Sequence, residues 1–451
     1  MRGRTGGGKL PVFLGNSFTQ TTARILVLQT HPPLVLPVSS LRVVKDRPAY
    51  NTAPPKPKPI NPSDYSMARK VGRRMVLYLY LAVFVTRIGF GSVTIIFPLY
   101  LRASSFQVGL VLALYPMAEA ASALPIGRLA DRFSRKNLHI IGMVLITVLT
   151  AAIGFTTNLY NVSILHALMG VSAATAAVTS LTLLGDATKT TNRGASMGGF
   201  DLANLGGYGL GFGLGSLFAN EFAGRLHWAF WATAGIFLFA GLMAAKMLVE
   251  PVKIQEVFRK TVRPMKIGNR LRPIMPIWIS QTVILGMYFL LPKAFRDASF
   301  TPTHETLLFL GELGALFALG ALIFGRISDK IGRTRIMTIG AIGEVGFLAI
   351  FGWTFPNFAN TPFPAIYLLP LFFLASAIAP AILAYVSDIS GRAKRGSANA
   401  LYSTVLSIGL AIGNILGGFL ADLGGIPWIF FAGAGILFPS VIATNTMLRR
   451  R

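Results

Sequence analysis

From residue 75 to the C-terminus, long apolar runs alternate with short polar connections. Twelve runs are distinct: 75–101, 107–127, 138–156, 160–184, 196–219, 228–249, 274–292, 304–325, 336–355, 364–387, 397–420 and 427–447. A helix needs about 20 apolar residues to cross the hydrocarbon layer, and each run meets or approaches that length. The pattern predicts an all-α membrane protein with twelve transmembrane helices and both termini on one side. Runs and connections together leave no room for a soluble catalytic domain.

The first 66 residues break the pattern. They lack the apolar stretch of a secretory leader. Residues 53–62 read A-P-P-K-P-K-P-I-N-P, a basic, Pro-rich tail expected to be extended and disordered. Met67 opens M-A-R-K-V-G-R-R directly before the first run and is expected to be the true start, with 1–66 a mis-assigned extension.

Lys and Arg set the orientation. With the N-terminus inside, the segments 67–74, 128–137, 185–195, 246–273, 326–335 and 389–396 and the C-terminus carry 28 of them. The connections on the other side carry four: Arg102, Arg225, Lys293 and Arg296. A single missed helix would scramble this alternation. The expectation is a multi-pass protein of the cell membrane with both termini cytoplasmic.

Composition agrees. Hydrophobic residues make up 53% and charged residues 13% of 451, with a mean hydropathy of +0.60. Soluble domains carry about 25% charged residues, so soluble and disordered classes are excluded. A net charge of +26 would suggest nucleic acid in a soluble chain. Here topology and anionic lipid headgroups account for it, and no nucleic-acid partner is expected. Cysteine is absent, which removes disulfides, thiolate metal sites and cysteine nucleophiles. The five histidines lack ligand spacing, and no nucleotide-binding signature appears. No cofactor, metal or enzymatic activity is expected.

The two halves repeat each other. Gly127-Arg128-Leu129-Ala130-Asp131-Arg132 follows the second run, and Gly325-Arg326-Ile327-Ser328-Asp329-Lys330 follows the eighth. Asp186 precedes Arg193-Gly194 as Asp388 precedes Arg395-Gly396, and Gly207, Gly211 and Gly215 match Gly409, Gly413 and Gly417. The expected domains are an N-terminal six-helix bundle (67–249), a basic cytoplasmic linker (250–273) and a C-terminal six-helix bundle (274–451). Two such repeats form a secondary-transporter architecture.

Residues 127–136 read G-R-L-A-D-R-F-S-R-K. This resembles the signature loop of the major facilitator superfamily, G-x-L-A-D-R-x-G-R-K, with Ser134 in place of the second glycine. The second copy, G-R-I-S-D-K-I-G-R at 325–333, keeps that glycine as Gly332. The resemblance covers most of 67–451. It implies a cytoplasmic latch that switches between inward- and outward-open states. Gly127, Asp131, Arg132, Arg135 and Lys136 would form the first copy, and Gly325, Asp329, Lys330, Gly332 and Arg333 the second. Asp186 with Arg193, and Asp388 with Arg395, are expected at the same level. Proton-coupled drug exporters of the family often carry an Arg where this chain has His166, four residues before Gly170. They also carry a Gly-Pro-rich helix 5, whereas 206–215 is Gly-rich without the Pro. His166 could titrate, but it shares a small-residue face and is expected to be packed and hydrogen-bonded.

A charge near mid-bilayer costs about 2.5–3.5 kcal/mol and marks a functional candidate. Arg87 and Glu119 each lie about twelve residues into oppositely directed runs, and an ion pair facing a central cavity is expected. Gln107, Tyr115, Glu119 and Ser122 form a polar stripe on helix 2. Glu312, on a cavity helix by resemblance, is a second acid candidate; Glu344, on a peripheral one, reads as structural. Glu119 is either a proton carrier or the permanent partner of Arg87.

The leading expectation is a monomeric secondary transporter working by alternating access. It would couple to protons, with sodium as the alternative ion, and export small amphipathic compounds. Uptake of a metabolite or sugar, facilitated diffusion and a non-transporting membrane sensor are the competing readings.

Overall fold

The structure is a computed structural model that describes residues 62–188, 193–250, 268–297, 304–358 and 368–450. Within these, parts of 62–73, 193–201, 304–318 and 387–400 are described by their backbone alone. The tail up to residue 61 and the linker 251–267 lie outside the described residues.

The described chain is helical, with no strand among the described residues. Its helices are α1 (Pro62–Tyr100), α2 (Ser105–Arg132), α3 (Arg135–Ile153), α4 (Leu159–Ala187), α5 (Arg193–Glu221) and α6 (His227–Met247). After a 3-10 turn at Arg272–Ile274 come α7 (Met275–Tyr288), α8 (Leu291–Asp297), α9 (His304–Ile331) and α10 (Arg333–Phe358). The last three are α11 (Leu368–Ala375), α12 (Ile378–Gly424) and α13 (Ile426–Arg449). Nine segments among the described residues are long and apolar enough to cross a membrane, and the bent pair α7–α8 makes a tenth. The expected spans over 196–219 and 304–325 coincide with α5 and α9, parts of which have no described side chains.

Three boundaries differ from expectation. Helix α1 starts at Pro62, inside the segment read as tail, because proline's fixed φ suits a first helical turn. The seventh run is not one straight helix: it bends by 42° between α7 and α8, just before Pro292. Residues 389–396, expected as a connection, are helical within the 47-residue α12. Their basic residues say which side of a membrane they prefer, but no proline interrupts the backbone there.

Glycine decides how closely the helices pack. α5 lies on α1 through Gly207, Gly211 and Gly215, where a Cβ would fall within 2.8 Å of α1 atoms. The repeat-related Gly409, Gly413 and Gly417 of α12 lie on α7 in the same way. Such small-residue seams let backbones approach where no hydrophobic effect separates helix from lipid. Elsewhere α2 packs on α4, α3 on α4 and α6, and α10 on α11 and α13.

The two repeats touch at one end. α2 crosses α12 closely, with Gly109 against the Asn414 carbonyl and Gly418 against the Ser105 carbonyl. Asp422, near the end of α12, accepts the Ser105 and Phe106 amides at 2.8 and 2.9 Å. These are N–H groups of the first turn of α2, which have no intrahelical partner and attract a carboxylate. Arg296 of α8 adds a bond to the Leu99 carbonyl of α1. At the opposite end, where the signature loops lie, a Cβ on Gly127 or Gly325 would meet nothing within 4 Å.

Candidate functional site

The central polar cluster lies where the α1–α5 pair faces α2. Its members are Arg87 of α1, Asn204 and Tyr208 of α5, and Tyr115 and Glu119 of α2, all partly exposed although mid-helix. Asn204 donates its amide nitrogen to the Phe200 carbonyl at 2.9 Å. That turns its oxygen toward Arg87, whose Nε donates to it at 2.6 Å. Nη1 of Arg87 donates to the Tyr208 hydroxyl at 3.2 Å. The guanidinium also lies 5.5 Å from the Phe90 ring centre and 5.2 Å from that of Tyr208. Ring faces attract a cation by about 0.5–2 kcal/mol, more as water is excluded.

The expected Arg87–Glu119 ion pair is not formed. Among the described residues no carboxylate lies within 4 Å of Arg87. The cause is the glycine seam. Close approach of α5 at Gly207 brings Asn204 and Tyr208, one helical turn apart, to the Arg87 side chain before α2 can reach it. Sequence spacing alone placed Arg87 opposite Glu119. Asn204 and Tyr208 were missed, although they flank Gly207 at helical spacing.

His166 is buried between the Phe97 and Tyr115 rings, at 4.2 and 5.3 Å between centres. Gly170, one turn on, lets α4 press against the Tyr115 carbonyl. Packing was expected and is found, but the expected hydrogen bond is absent at Nδ1, which has no partner. Glu312 falls in α9, where its side chain lies outside the described residues. Glu344 is buried in the second repeat, with Oε2 unpartnered.

Two ion pairs join the signature loops to the aspartates expected at the same level. Asp186 pairs with Arg135, and Asp388 with Arg333 at 3.1 Å. The two ion pairs occupy equivalent places in the repeat. Arg333 also meets Asp329 and the Ser328 hydroxyl. The side chains of Arg193 and Arg395, expected at the same level, lie outside the described residues. Asp131, Arg132 and Lys330 are exposed. Gly332 takes φ +109°, which makes a one-residue connection between α9 and α10.

Ser134 stands where Gly332 stands in the second copy and adopts φ −63°, ψ 122° instead. It caps α3 by accepting the Asn137 amide, and donates to Glu250 at 2.7 Å. Glu250 also accepts the Arg135 and Lys136 amides at 3.1 and 2.8 Å. Partial burial alone would raise the Glu250 proton affinity. The two amides, the hydroxyl and the nearby Arg135 charge outweigh it and hold the carboxyl below the usual range. The start of the linker is thereby tied to the first signature loop. The departure at Ser134 was legible in sequence, but its partner, 116 residues away, was not.

No group of three His, Cys, Asp or Glu side chains able to hold a metal occurs among the described residues. Comparison with known proteins covers most of the chain. It is 24% identical to multidrug resistance protein 2 of Bacillus subtilis (strain 168), over 79% of this chain and 92% of that one. It is 24% identical to the quinolone resistance protein NorA of Staphylococcus aureus (strain MSSA476), over 78% and 90%. Its fold matches the crystal structure of the nucleoside transporter NupG with a TM-score of 0.65 at 15% identity, covering 83% of this chain and 99% of that one. The Major Facilitator Superfamily model matches residues 79–369 and 287–451. With this fold, these signature loops and this match, the chain belongs to the Major Facilitator Superfamily and is a transporter of small molecules, not an enzyme.

Proposed function

We propose that the protein is a secondary active transporter with twelve spans in two six-helix bundles joined by the basic linker 250–273. It works by alternating access in the cell membrane, as a monomer, with both termini cytoplasmic and the signature loops among anionic headgroups. On that reading the close α2–α12 contact lies at the outer end, opposite the signature loops. The ion pairs of Arg135 and Arg333 brace each bundle for the switch.

The observation that carries the reading is the half-buried cluster of Arg87, Tyr115, Glu119, Asn204 and Tyr208 between α1, α2 and α5. Charged and polar groups in such a place are retained for solutes or protons rather than for stability. Glu119 is the proton-carrying group and Glu312 the second acid. The substrates are small amphipathic compounds, matching the aromatic surroundings of the cluster. Export is the direction supported by the names of the resistance proteins among the relatives. Uptake is a second reading with one observation in its favour. An anionic solute and an ionised Glu119 would compete for Arg87, so solute and proton would load together, as in a symporter.

The test is purified protein in liposomes holding a pH-sensitive dye, with a proton gradient and pooled drugs and metabolites. Solute-dependent proton movement that disappears in Glu119→Gln is the expected result. Movement that survives the substitution would remove Glu119 from the proton path. Solute flux with no proton movement would leave a sodium-coupled or passive carrier.

A further inference from the structure

We propose that Arg87 is the anion-recognition group of the transport site, and that its ligand is an organic anion carried on an aromatic or other flat apolar body. The proposal rests on reading this cluster as the transport site.

Four observations lead to it. First, Arg87 is a permanent cation in the middle of a membrane helix, yet its named partners are neutral: the Asn204 carbonyl and the Tyr208 hydroxyl. No described carboxylate pairs with it. A cation in that setting is costly unless paired, and a ligand anion supplies the missing charge.

Second, the guanidinium is held ready. Asn204 is itself oriented by the Phe200 carbonyl, so Nε and Nη1 are anchored from one side by α5. A planar fork fixed along one edge presents its remaining donors in a set direction, the geometry that carboxylates, sulfonates and phosphates match. The ordering cost is met before the ligand arrives.

Third, the surroundings are aromatic. Phe90 and Tyr208 lie beside the guanidinium, and Tyr115 packs edge-on to Phe90 at 5.9 Å. Phe212 extends the ring series from Tyr208 at 6.0 Å. Phe90 is buried, but Tyr115, Tyr208 and Phe212 keep exposed surface, which suits a flat apolar body next to the anionic group.

Fourth, Glu119 lies one turn along α2 from Tyr115, which packs on the Phe90 ring beside Arg87, and it forms no ion pair with Arg87. The titratable groups facing Arg87 are Glu119 and Tyr115 from α2 and Tyr208 from α5. Glu119 is the carboxylic acid among them. Ionised, it competes with a ligand anion; protonated, it does not. Anion binding therefore strengthens as pH falls.

The experiment uses the full chain in lipid nanodiscs and three probes of matched shape: 2-naphthoate, 2-naphthylmethylammonium and the neutral 2-naphthylmethanol. Affinities are measured by titration calorimetry at pH 6 and pH 8. The expected result is naphthoate binding about tenfold or more tighter than the ammonium probe, the size of one charged hydrogen-bonded contact. Arg87→Gln abolishes that preference, and its monodisperse elution on size exclusion shows that the variant is folded. Glu119→Gln keeps naphthoate binding and removes its pH dependence. Tighter binding of the ammonium probe, or an anion preference that survives Arg87→Gln, overturns the proposal and leaves the transport-site reading standing. Binding of no probe, or binding of all three unaltered by both Arg87→Gln and Tyr115→Ala, overturns the reading and the proposal together.

Discussion

A single methyl group tests the packing argument. In Gly211 of α5, a Cβ would lie 2.4 Å from the Ile88 carbonyl oxygen and 2.8 Å from Gly91 Cα. Ordinary contact begins at 3.4 Å, so α1 and α5 would have to part by about 1 Å along that line. Two residues on, a Cβ at Gly213 would meet nothing within 4 Å. Alanine is better than glycine in a helix interior by about 0.8–1 kcal/mol, and both substitutions receive that gain. Only Gly211→Ala also carries the overpacking cost of about 1–3 kcal/mol. Gly213→Ala is therefore expected to be neutral or stabilising, and Gly211→Ala to lie about 1–3 kcal/mol below it. Heating purified variants in one detergent and following the monodisperse fraction by size exclusion gives the comparison. Thiol-reactive stability dyes report nothing, because the chain has no cysteine. Arg87 is rooted in the same seam, so Gly211→Ala also weakens solute binding while Gly213→Ala does not. Melting of Gly211→Ala at or above Gly213→Ala would refute the reasoning.

Three further outcomes are expected. Glu250 binds its proton more weakly folded than unfolded. Its tie to α3 therefore stabilises the protein above the ordinary glutamate value of about 4.3 and is lost as pH falls through the lowered folded value. Glu250→Gln should lower the melting temperature at neutral pH and flatten its acid dependence; an unchanged acid profile would sink the assignment. A double-mutant cycle on Arg135→Ala and Asp186→Asn should give a coupling of about 0.2–1 kcal/mol, as for partly exposed pairs, whereas zero coupling would remove the brace. Asp422→Ala removes the carboxylate between α12 and the first turn of α2. In the cysteine-free chain, a thiol introduced by Asn414→Cys, at a site buried against α2, should then react several-fold faster with an impermeant maleimide. An equal rate with and without Asp422 would show that it does not hold that end closed.

The comparison of sequence with structure is instructive at particular residues. The aspartates beside the signature loops were legible, because Asp186 and Asp388 recur with their motifs at nearly constant offset. Their partners were not: Arg135 and Arg333 meet them across helix ends, 51 or 55 residues away in sequence, and nothing local to either aspartate points there. The polar stripe on α2 was legible from helical period. The neighbours of Arg87 were not, because they depend on how α5 is rotated against α1. Glu250 and Asp422 gave no local signal at all. Each is an acid beside a helix end that becomes a cap only once a distant amide turn is brought to it.

Hydropathy, charge asymmetry and the internal repeat are properties of the chain taken one segment at a time. They sufficed for an all-helical membrane transporter of this superfamily, because length against bilayer thickness and Lys/Arg position need no knowledge of packing. Tertiary structure alone decided which side chain faces which: Arg87 toward Asn204 and Tyr208 rather than Glu119, Arg135 toward Asp186, and closure at the α2–α12 end. Those outcomes turn on helix rotation and on approaches of 2–3 Å at glycine seams. One missing Cβ on a neighbouring helix changes the partner while leaving the hydrophobic pattern as it was.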